Sequence, residues 1–460
     1  MCGIVGYLGR DVETGRRYVE RGLRLLAHRG PDDGGMFVGD GVVLGHRRLS
    51  IVDLTSAGHQ PMSSADGRWT IVYNGEVYNH LDMRAKYGSS WPFRSRTDSE
   101  SVVAAVAAAG SNCIGSFVGM WAFAVWDADE RRLLIARDRY GQKPLYWRST
   151  ADGGLRFASE IAPLVDDGES PEMYAPAVAE YLATGNYGHL GERTFFRDVF
   201  SFPPAHFAWL EPMGGRPAPR RYWRFPSVPA RDRRPYDVRT ATRFREVFDE
   251  AVRSQLMSDV PFGVTLSGGL DSSAVAGAVA SAGGNGAIPV FTAQAEGSRF
   301  DESKYVEAVR QKWRGRLDVH RVNLGAMRVS NLLPETLRIQ EEPFGDPSIA
   351  AHGLLMDAAR AAGVPVILGG QGSDELLWGY HYLGHSLVAS SLRRGRVGRG
   401  PAGGGPRKAR RVVCDGRYGH RRRADHRRPD FSRRRARGGR DRPFAAGARL
   451  RHRGTDCRVA

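Results

Sequence analysis

The sequence predicts two folded modules in series: a β-rich module over residues 1–210 and an α/β module with a parallel sheet over residues 236–390. Three observations carry this. From Val260 onward, short apolar runs alternate with helix-length stretches, the pattern of a parallel sheet with helices on both faces. Upstream, Val42-Val-Leu-Gly45, Trp69-Thr-Ile-Val-Tyr73, Ala122-Phe-Ala-Val-Trp126 and Arg132-Leu-Leu-Ile-Ala136 read as short strands. Between the two regions, Glu211–Pro219 and Phe225–Ala230 are rich in Pro and Gly, so 211–235 reads as a connector.

A length of 460 residues suits two to three domains. Hydrophobic residues make up 41% and charged residues 25%, the balance of an ordinary soluble chain. No apolar run approaches the ~18 residues of a membrane helix. The start has no basic stretch followed by an apolar one, so no secretory signal is read and the cytoplasm is the expected location. Cys2, Cys113, Cys414 and Cys457 have neither metal-ligand spacing nor the density of a disulfide scaffold.

In the second module, Thr242–Met257 carries apolar residues at helical spacing. Val260–Leu266 reads as a strand, Ser272–Ala282 as a helix and Ile288–Ala293 as a strand. Asp301–Lys312 reads as a helix, Leu317–Leu324 as a strand, Ile349–Ala362 as a helix and Val364–Leu368 as a strand. The first strand and helix are joined by Ser267-Gly-Gly-Leu-Asp-Ser-Ser273. A strand, a Gly-Gly turn and a helix N-terminus make an anion site, because free N–H groups and the helix dipole favour negative charge. Gly268 and Gly269 permit close approach to a phosphate, and Ser267, Ser272 and Ser273 add hydroxyl donors. Asp271 is sensible there if Mg²⁺ sits between it and the phosphates. No Gly-Lys-Ser/Thr follows, which excludes the Walker-type loop. Ligands of such sheets lie beyond the strand C-termini. Both this loop and Gly369-Gly-Gln-Gly-Ser-Asp-Glu375 sit at such ends, so they should face one crevice.

The chain begins Met1-Cys2-Gly3, and a small second residue favours removal of Met1. An exposed Cys2 would then carry a thiol nucleophile and, in its own α-amine of pKa ~7.7–8, a base. Further strings follow: His28-Arg-Gly-Pro-Asp32, Gly45-His-Arg-Arg-Leu-Ser-Ile-Val-Asp53, Gly58-His-Gln-Pro-Met62 and Ile71-Val-Tyr-Asn-Gly-Glu-Val-Tyr-Asn79. Later stand Arg96-Thr-Asp-Ser-Glu100, Gly119–Asp127 and Arg137-Asp-Arg-Tyr-Gly-Gln-Lys-Pro-Leu-Tyr146. In this order they resemble the class II glutamine amidotransferase domain, over most of residues 2–165. The resemblance implies an N-terminal-nucleophile hydrolase, a sandwich of two antiparallel sheets between helix layers. It implies Cys2 as nucleophile and Asn74 and Gly75 as oxyanion donors. It also implies Arg48 for the glutamine carboxylate and Glu76 and Asp98 for its ammonium. Arg48 or Asp98 alone would read as a surface ion pair; the set does not. Ser99 stands where the family often has Thr. Ser101–Gly115 is Ala-rich and reads as a plain helix, with Cys113 packed at its end.

The loop 267–273 resembles the pyrophosphate loop of the N-type ATP pyrophosphatases. Glu341-Glu-Pro-Phe-Gly-Asp-Pro-Ser348 and Gly370-Gln-Gly-Ser-Asp-Glu375, with Trp378-Gly-Tyr380, are similar to motifs of the glutamine-hydrolysing asparagine synthetases. The resemblance implies ATP and Mg²⁺ as cofactors. It places Leu266 and Gly370 near the nucleotide, Asp271 and Asp374 near metal or substrate, and Gln371 and Glu375 near the acceptor. Gln371 stands where many members have Glu, and an amide cannot act as a base. The implied reaction adenylates a carboxylate, first of all that of aspartate, and then amidates it with ammonia from glutamine, releasing AMP and pyrophosphate. Two alternatives stand beside it: amidation of a peptide or secondary-metabolite carboxylate, and a remnant that only hydrolyses glutamine. The sequence does not fix the oligomeric state and leaves a homodimer open.

Residues 391–460 stand apart. They hold 24 Lys and Arg against 5 Asp, a local +19 that leaves the other residues at −2 of the total +17. Twenty-three are Arg and 12 are Gly, whereas only eight are Leu, Val or Phe, too few to bury a core. The segment reads as disordered. It fits a basic tail for RNA or a membrane surface. It also fits GC-rich coding DNA translated in a shifted frame, the reading favoured here. Neither nucleic acid nor membrane is thus an expected partner of the folded part.

Overall fold

The computed structural model describes residues 1–166, 171–185, 191–229, 236–283, 286–294, 301–377 and 379–380, together with 386, 388–390 and 393. Met1–Tyr380 form one compact unit and His381–Ala460 a second. In the second unit only the last five of those positions are described, and they are helical. The segment 391–460, read above as disordered or frame-shifted, therefore lies outside the described residues except for Arg393.

The first module comprises β1 (Gly3–Leu8), α1 (Val12–Leu25), β2 (Asp33–Gly39), β3 (Val42–Arg48), β4 (Met62–Ser63), β5 (Trp69–Val77), α2 (His80–Tyr87) and α3 (Asp98–Ala109). It continues with β6 (Gly119–Asp127), β7 (Arg132–Arg137), β8 (Tyr146–Ser149), β9 (Leu155–Ala158), α4 (Ala162–Val165), α5 (Ala175–Thr184), β10 (Phe200–Ser201), β11 (His206–Leu210) and β12 (Arg220–Arg221). Two antiparallel sheets result, in the orders β10-β8-β9-β1-β3-β2 and β12-β11-β7-β6-β5-β4. Their facing sides interdigitate through Ile4, Leu8 and Leu44 from one and Val72, Ala124, Trp126 and Ile135 from the other. The outer face of the first sheet packs Val5 and Tyr7 against Tyr18 and Val19 of α1. The outer face of the second packs Ile71, Tyr73, Phe123 and Val125 against Val102, Val103 and Val106 of α3. Because every strand residue of β1 is buried on one side or the other, period-2 side-chain alternation sorts two cores rather than core from solvent. This is the four-layer sandwich that the sequence implied.

Helix starts follow local chemistry. Asp11 accepts from Thr14 N–H at 3.0 Å ahead of α1, and Thr97 accepts from Glu100 N–H at 3.3 Å ahead of α3. The plain helix read over 101–115 is α3 followed by a 3₁₀ segment, Gly110–Ser116, begun by Gly110 at φ 56°. Part of the stretch read as connector is structured. Arg220 and Arg221 pair with Phe207 and His206, and Tyr222 stacks on Trp121 with ring centroids 5.7 Å apart.

The second module runs α6 (Val238–Ser254), β13 (Phe262–Thr265), α7 (Leu270–Ser281), β14 (Ile288–Gln294), α8 (Ser303–Lys312), β15 (Leu317–Asn323), α9 (Ala326–Gln340), α10 (Ser348–Ala361), β16 (Val366–Leu368) and α11 (Ser373–Leu377). Its four strands are parallel, in the order β15-β14-β13-β16. Helices cover both faces, with α6, α7 and α8 on one and α10 on the other. The elements match the sequence reading except α9 and the short α11, neither of which was expected. Pro334 lies inside α9, and Pro disfavours a helix interior.

The turn after β7 is fixed by two adjacent side chains. Asp138, wholly buried, accepts from the N–H groups of Tyr140 and Gln142, each at 3.0 Å. It also accepts from Trp121 at 3.2 Å and Lys143 at 3.0 Å. Arg137 donates to the carbonyls of Gly141 and Lys143, each at 2.8 Å, and of Phe202 at 2.6 Å. Asp138→Ala strands these four N–H groups. It should lower stability by about 3–5 kcal/mol, read as a lower urea midpoint at unchanged m-value.

Candidate active site

Where the two sheets of the first module meet, a cavity of about 380 Å³ is lined by Cys2, Arg48, Asn74, Gly75, Glu76, Asp98 and Lys143. Its far wall comes from the second module, through Met356 of α10 and Pro365, Val366 and Ile367 at β16. All six first-module residues singled out from the sequence therefore share one space.

Cys2 immediately precedes β1, which pairs with β3 from Gly3↔Arg47 onward. That register sets the thiol beside the end of β3, where Leu49 N–H donates to Sγ at 3.4 Å and Sγ donates to Leu49 O at 3.6 Å. Arg29 Nε holds the Cys2 carbonyl at 2.9 Å, and its Nη1 pairs with Glu160 at 2.8 Å. Burial pushes the thiol pKa up, while the Leu49 N–H, the chain-start amine, Lys143 and Arg48 pull it back. Burial also lowers the Met1 α-amine to about 6.

Asn74 and Gly75 lie near the end of β5. Asn74 is fully buried, yet among the described residues neither its Nδ2 nor its Oδ1 has a hydrogen-bond partner. Buried amides are almost always satisfied, so an unsatisfied one at a cavity marks a place for a ligand. At Gly75 a Cβ would sit 2.5 Å from Met120 O, so the strand pairing admits only glycine.

Asp98 opens α3 and accepts on Oδ2 from Tyr73 Oη at 2.6 Å and Val77 N–H at 2.8 Å. Burial, then repulsion from Asp98, raises Glu76 to about 7, against a pull from Lys143. Arg48 is built into the site's rim. Its guanidinium donates to the carbonyls of Thr55 at 3.0 Å and Val52 at 3.4 Å, and to that of Asp53. Among the described residues it has no carboxylate partner. The same loop is gripped from the second module, where Asp259 Oδ2 accepts from Asp53 N–H at 2.8 Å and Asp259 N–H donates to Ile51 O at 2.9 Å.

Lys143 was not singled out from the sequence. It lies in the string 137–146, but nothing in its spacing from Cys2 reveals that the turn after β7 folds back onto the thiol. Gln60 was missed likewise; it lines the cavity and its Oε1 accepts from Tyr73 N–H at 2.7 Å.

The second set of residues gathers at the C-terminal edge of the parallel sheet. The chain leaves β13 toward β14 and β15, whereas β16 lies on the other side of β13. A crevice at such a switch point is where these sheets bind ligands. Leu266 is buried behind the loop. Gly268 takes φ 89°, and the hydroxyls of Ser267 and Ser272 meet at 3.0 Å. Gly269 caps α7, which places Asp271, Ser272 and Ser273 in its first turn. A Cβ on Gly370 would come within 2.8 Å of Ser272 N, so the acidic loop touches the phosphate-type loop. Burial, Asp374 and Glu375 together raise the Asp271 pKa. Gln371 is exposed at this rim, and Glu375 accepts from Tyr380 Oη at 2.7 Å.

Glu341 and Glu342 do not join this crevice. Glu341 takes φ 61° at the end of α9 and accepts from Ile161 N–H at 2.5 Å and Ala162 N–H at 2.6 Å. Glu342 accepts from Phe195 N–H at 2.8 Å. Both bind the second module to the first.

Residues 1–223 match the family described as glutamine amidotransferase domain, and residues 243–452 match asparagine synthase. The second match runs past Leu392, where the resemblance read from motifs ends. The chain is 32% identical to Amidase chry2 of Gibberella zeae over 83% of this chain and 59% of that protein. Amidase chyE of Penicillium rubens gives the same 32%, 83% and 59%. Asparagine synthetase B (glutamine-hydrolyzing) of Escherichia coli is 29% identical over 86% of this chain and 68% of that protein. The chain thus spans 59% of the length of the two amidases.

Glu76 and Glu341 both sit at about 7, above the ordinary carboxyl value of 4.5. The folded chain therefore binds protons that the unfolded chain has released between pH 4.5 and 7. Their contribution to stability is full below that window and is lost as pH rises through it, by up to ~1.4 kcal/mol per pH unit per group. The unfolding midpoint should fall from pH 5 to pH 8 in thermal scans, and Glu76→Gln should flatten that slope.

Proposed function

Because the chain belongs to the family that joins a glutamine amidotransferase domain to an asparagine synthase domain, we propose that it hydrolyses glutamine at Cys2 and uses ATP to amidate a carboxylate, first of all that of aspartate. The observation that carries the proposal is the unpartnered Asn74 amide in the same cavity as the Cys2 thiol. With Met1 removed, the Cys2 amine is the base: an α-amine has an ordinary pKa of ~7.7–8, so part of it is neutral at pH 7 and accepts the thiol proton. Sulfur attacks the glutamine amide carbon, and the oxyanion receives Asn74 Nδ2 and the Gly75 N–H. The C–N bond breaks, ammonia leaves with the proton held by the amine, and water clears the thioester. Arg48 holds the substrate carboxylate from the rim, and Glu76 and Asp98 receive its ammonium.

In the second module the loop 267–273 cradles the ATP phosphates, with Leu266 and Gly370 near the nucleotide. Asp271 and Asp374 would hold Mg²⁺, which supplies charge neutralisation at the phosphates. The mutual repulsion that raises Asp271 fits a cation there. Phosphate oxygens and water would complete the shell of such an ion. β16 supports a route between the sites: its start walls the cavity and its C-terminal end leads to Gly370. Ammonia formed in a closed space is not protonated and lost before it meets the acyl-adenylate.

A second reading has another acceptor, a peptide or secondary-metabolite carboxylate. Gln371 favours it, because an amide stands where the family's acceptor-side carboxylate is common, and so do two relatives that are called amidases.

Cys2→Ala should abolish glutamine hydrolysis, and Asn74→Ala should lower its kcat roughly 10²–10³-fold. Asp271→Ala should stop formation of AMP and pyrophosphate while leaving glutamine hydrolysis in place. Full glutaminase activity in Cys2→Ala, or ADP and phosphate as products, would overturn the mechanism. Supplying aspartate and other carboxylates in turn and identifying the amide by mass separates the two acceptors.

A further inference from the structure

Lys143 is 6% exposed and lines the cavity that holds Cys2. Among the described residues its ammonium has neither an ion-pair nor a hydrogen-bond partner. Its backbone is held at both ends, N–H by Asp138 at 3.0 Å and carbonyl by Arg137 at 2.8 Å. The turn therefore sets an ammonium with no bonded partner beside the acidic groups and the thiol of the cavity. A largely buried ammonium is costly unless negative charge compensates it.

We propose that Lys143 is the cation of the glutamine-hydrolysing site that favours the Cys2 sulfur as thiolate; this rests on the glutaminase reading above. The groups facing the thiol are few. Arg48 is committed to three loop carbonyls. Arg29 is committed to the Cys2 carbonyl and Glu160. The chain-start amine is the proton acceptor. Glu76 and Asp98 carry no positive charge. Lys143 remains as a cation with no bonded partner among the described residues, acted on by Glu76 and by Cys2. Burial lowers its pKa below the ordinary lysine value, and the negative charge of Glu76 and then of Cys2 offsets that lowering only in part. Lys143 neither gives nor takes a proton: the thiol proton goes to the amine, and the electron pair on sulfur forms the bond to the amide carbon.

The test reads the thiol directly. Carbamidomethylation of Cys2 by iodoacetamide is followed across pH by mass spectrometry of the N-terminal peptide, in the full chain without glutamine. In Lys143→Met the midpoint should move up by about one unit, which slows alkylation at pH 7 roughly tenfold. Lys143→Arg keeps the charge and should stay near the wild type. Methionine preserves the bulk and removes a charge that is unfavourable to bury, so the thermal midpoint should not fall; that measurement guards against misfolding. Glutamine hydrolysis should lose kcat in step with the alkylation shift. An unchanged midpoint in Lys143→Met, or equal shifts in the Met and Arg variants, overturns the proposal. A chain that shows the shift but hydrolyses no glutamine refutes the underlying reaction, and not the coupling of charge to thiol.

Discussion

Asp138 and Arg137 divide the backbone of one turn between them. The carboxylate takes four N–H groups and the guanidinium takes three carbonyls, so the turn after β7 is shaped without regular secondary structure. A buried loop is normally excluded by its unsatisfied polar groups; here two side chains satisfy them. The contacts reach β6 through Trp121 and the strand at β10 through Phe202, so the turn also ties the two sheets together at the end where Cys2 lies. The turn thus adds polar bonds to the interdigitated core that spaces the two sheets.

Legibility in the sequence followed the range of the interactions. The parallel module could be read almost element by element because its strands and helices are local. The loop 267–273 announces itself by seven consecutive residues. α9 escaped because Pro334 argues against a helix, and burial of Leu332 against the Phe291 face overrides that local preference. In the first module, Cys2, Arg48, Asn74, Gly75, Glu76 and Asp98 were legible only through a resemblance; composition would never place residue 2 beside residue 49. Lys143 was hidden for the same reason in stronger form, since its position depends on a turn whose bonds run from residue 121 to residue 202. The roles of Glu341 and Glu342 were invisible too, because their carboxylates accept backbone N–H groups from the other module, contacts that no local pattern announces.

Cys2 is tied to the second module through a series of side-chain and backbone bonds. Cys2 O is held by Arg29, Arg29 by Glu160, and the next two residues donate to Glu341 at the end of α9. On the other side of the cavity, Asp259 holds the loop that Arg48 holds from within. A displacement of the parallel module would act on the nucleophile and on the rim together.

The loop from Ile51 to Thr55 has a bearing on how such chains are inherited. Each of its ends belongs to the first module, yet one of its faces is completed by Asp259 and the cavity beneath it by Val366 and Ile367. The join between the modules therefore does not fall between the candidate sites; it passes through one of them. Recombination that exchanged the second half for that of a distant relative would import a different wall and a different clasp, and the borrowed half would have to match the host's pocket as closely as a subunit matches its partner. Two such modules are expected to diverge as a pair, each substitution at the seam answered on its opposite side.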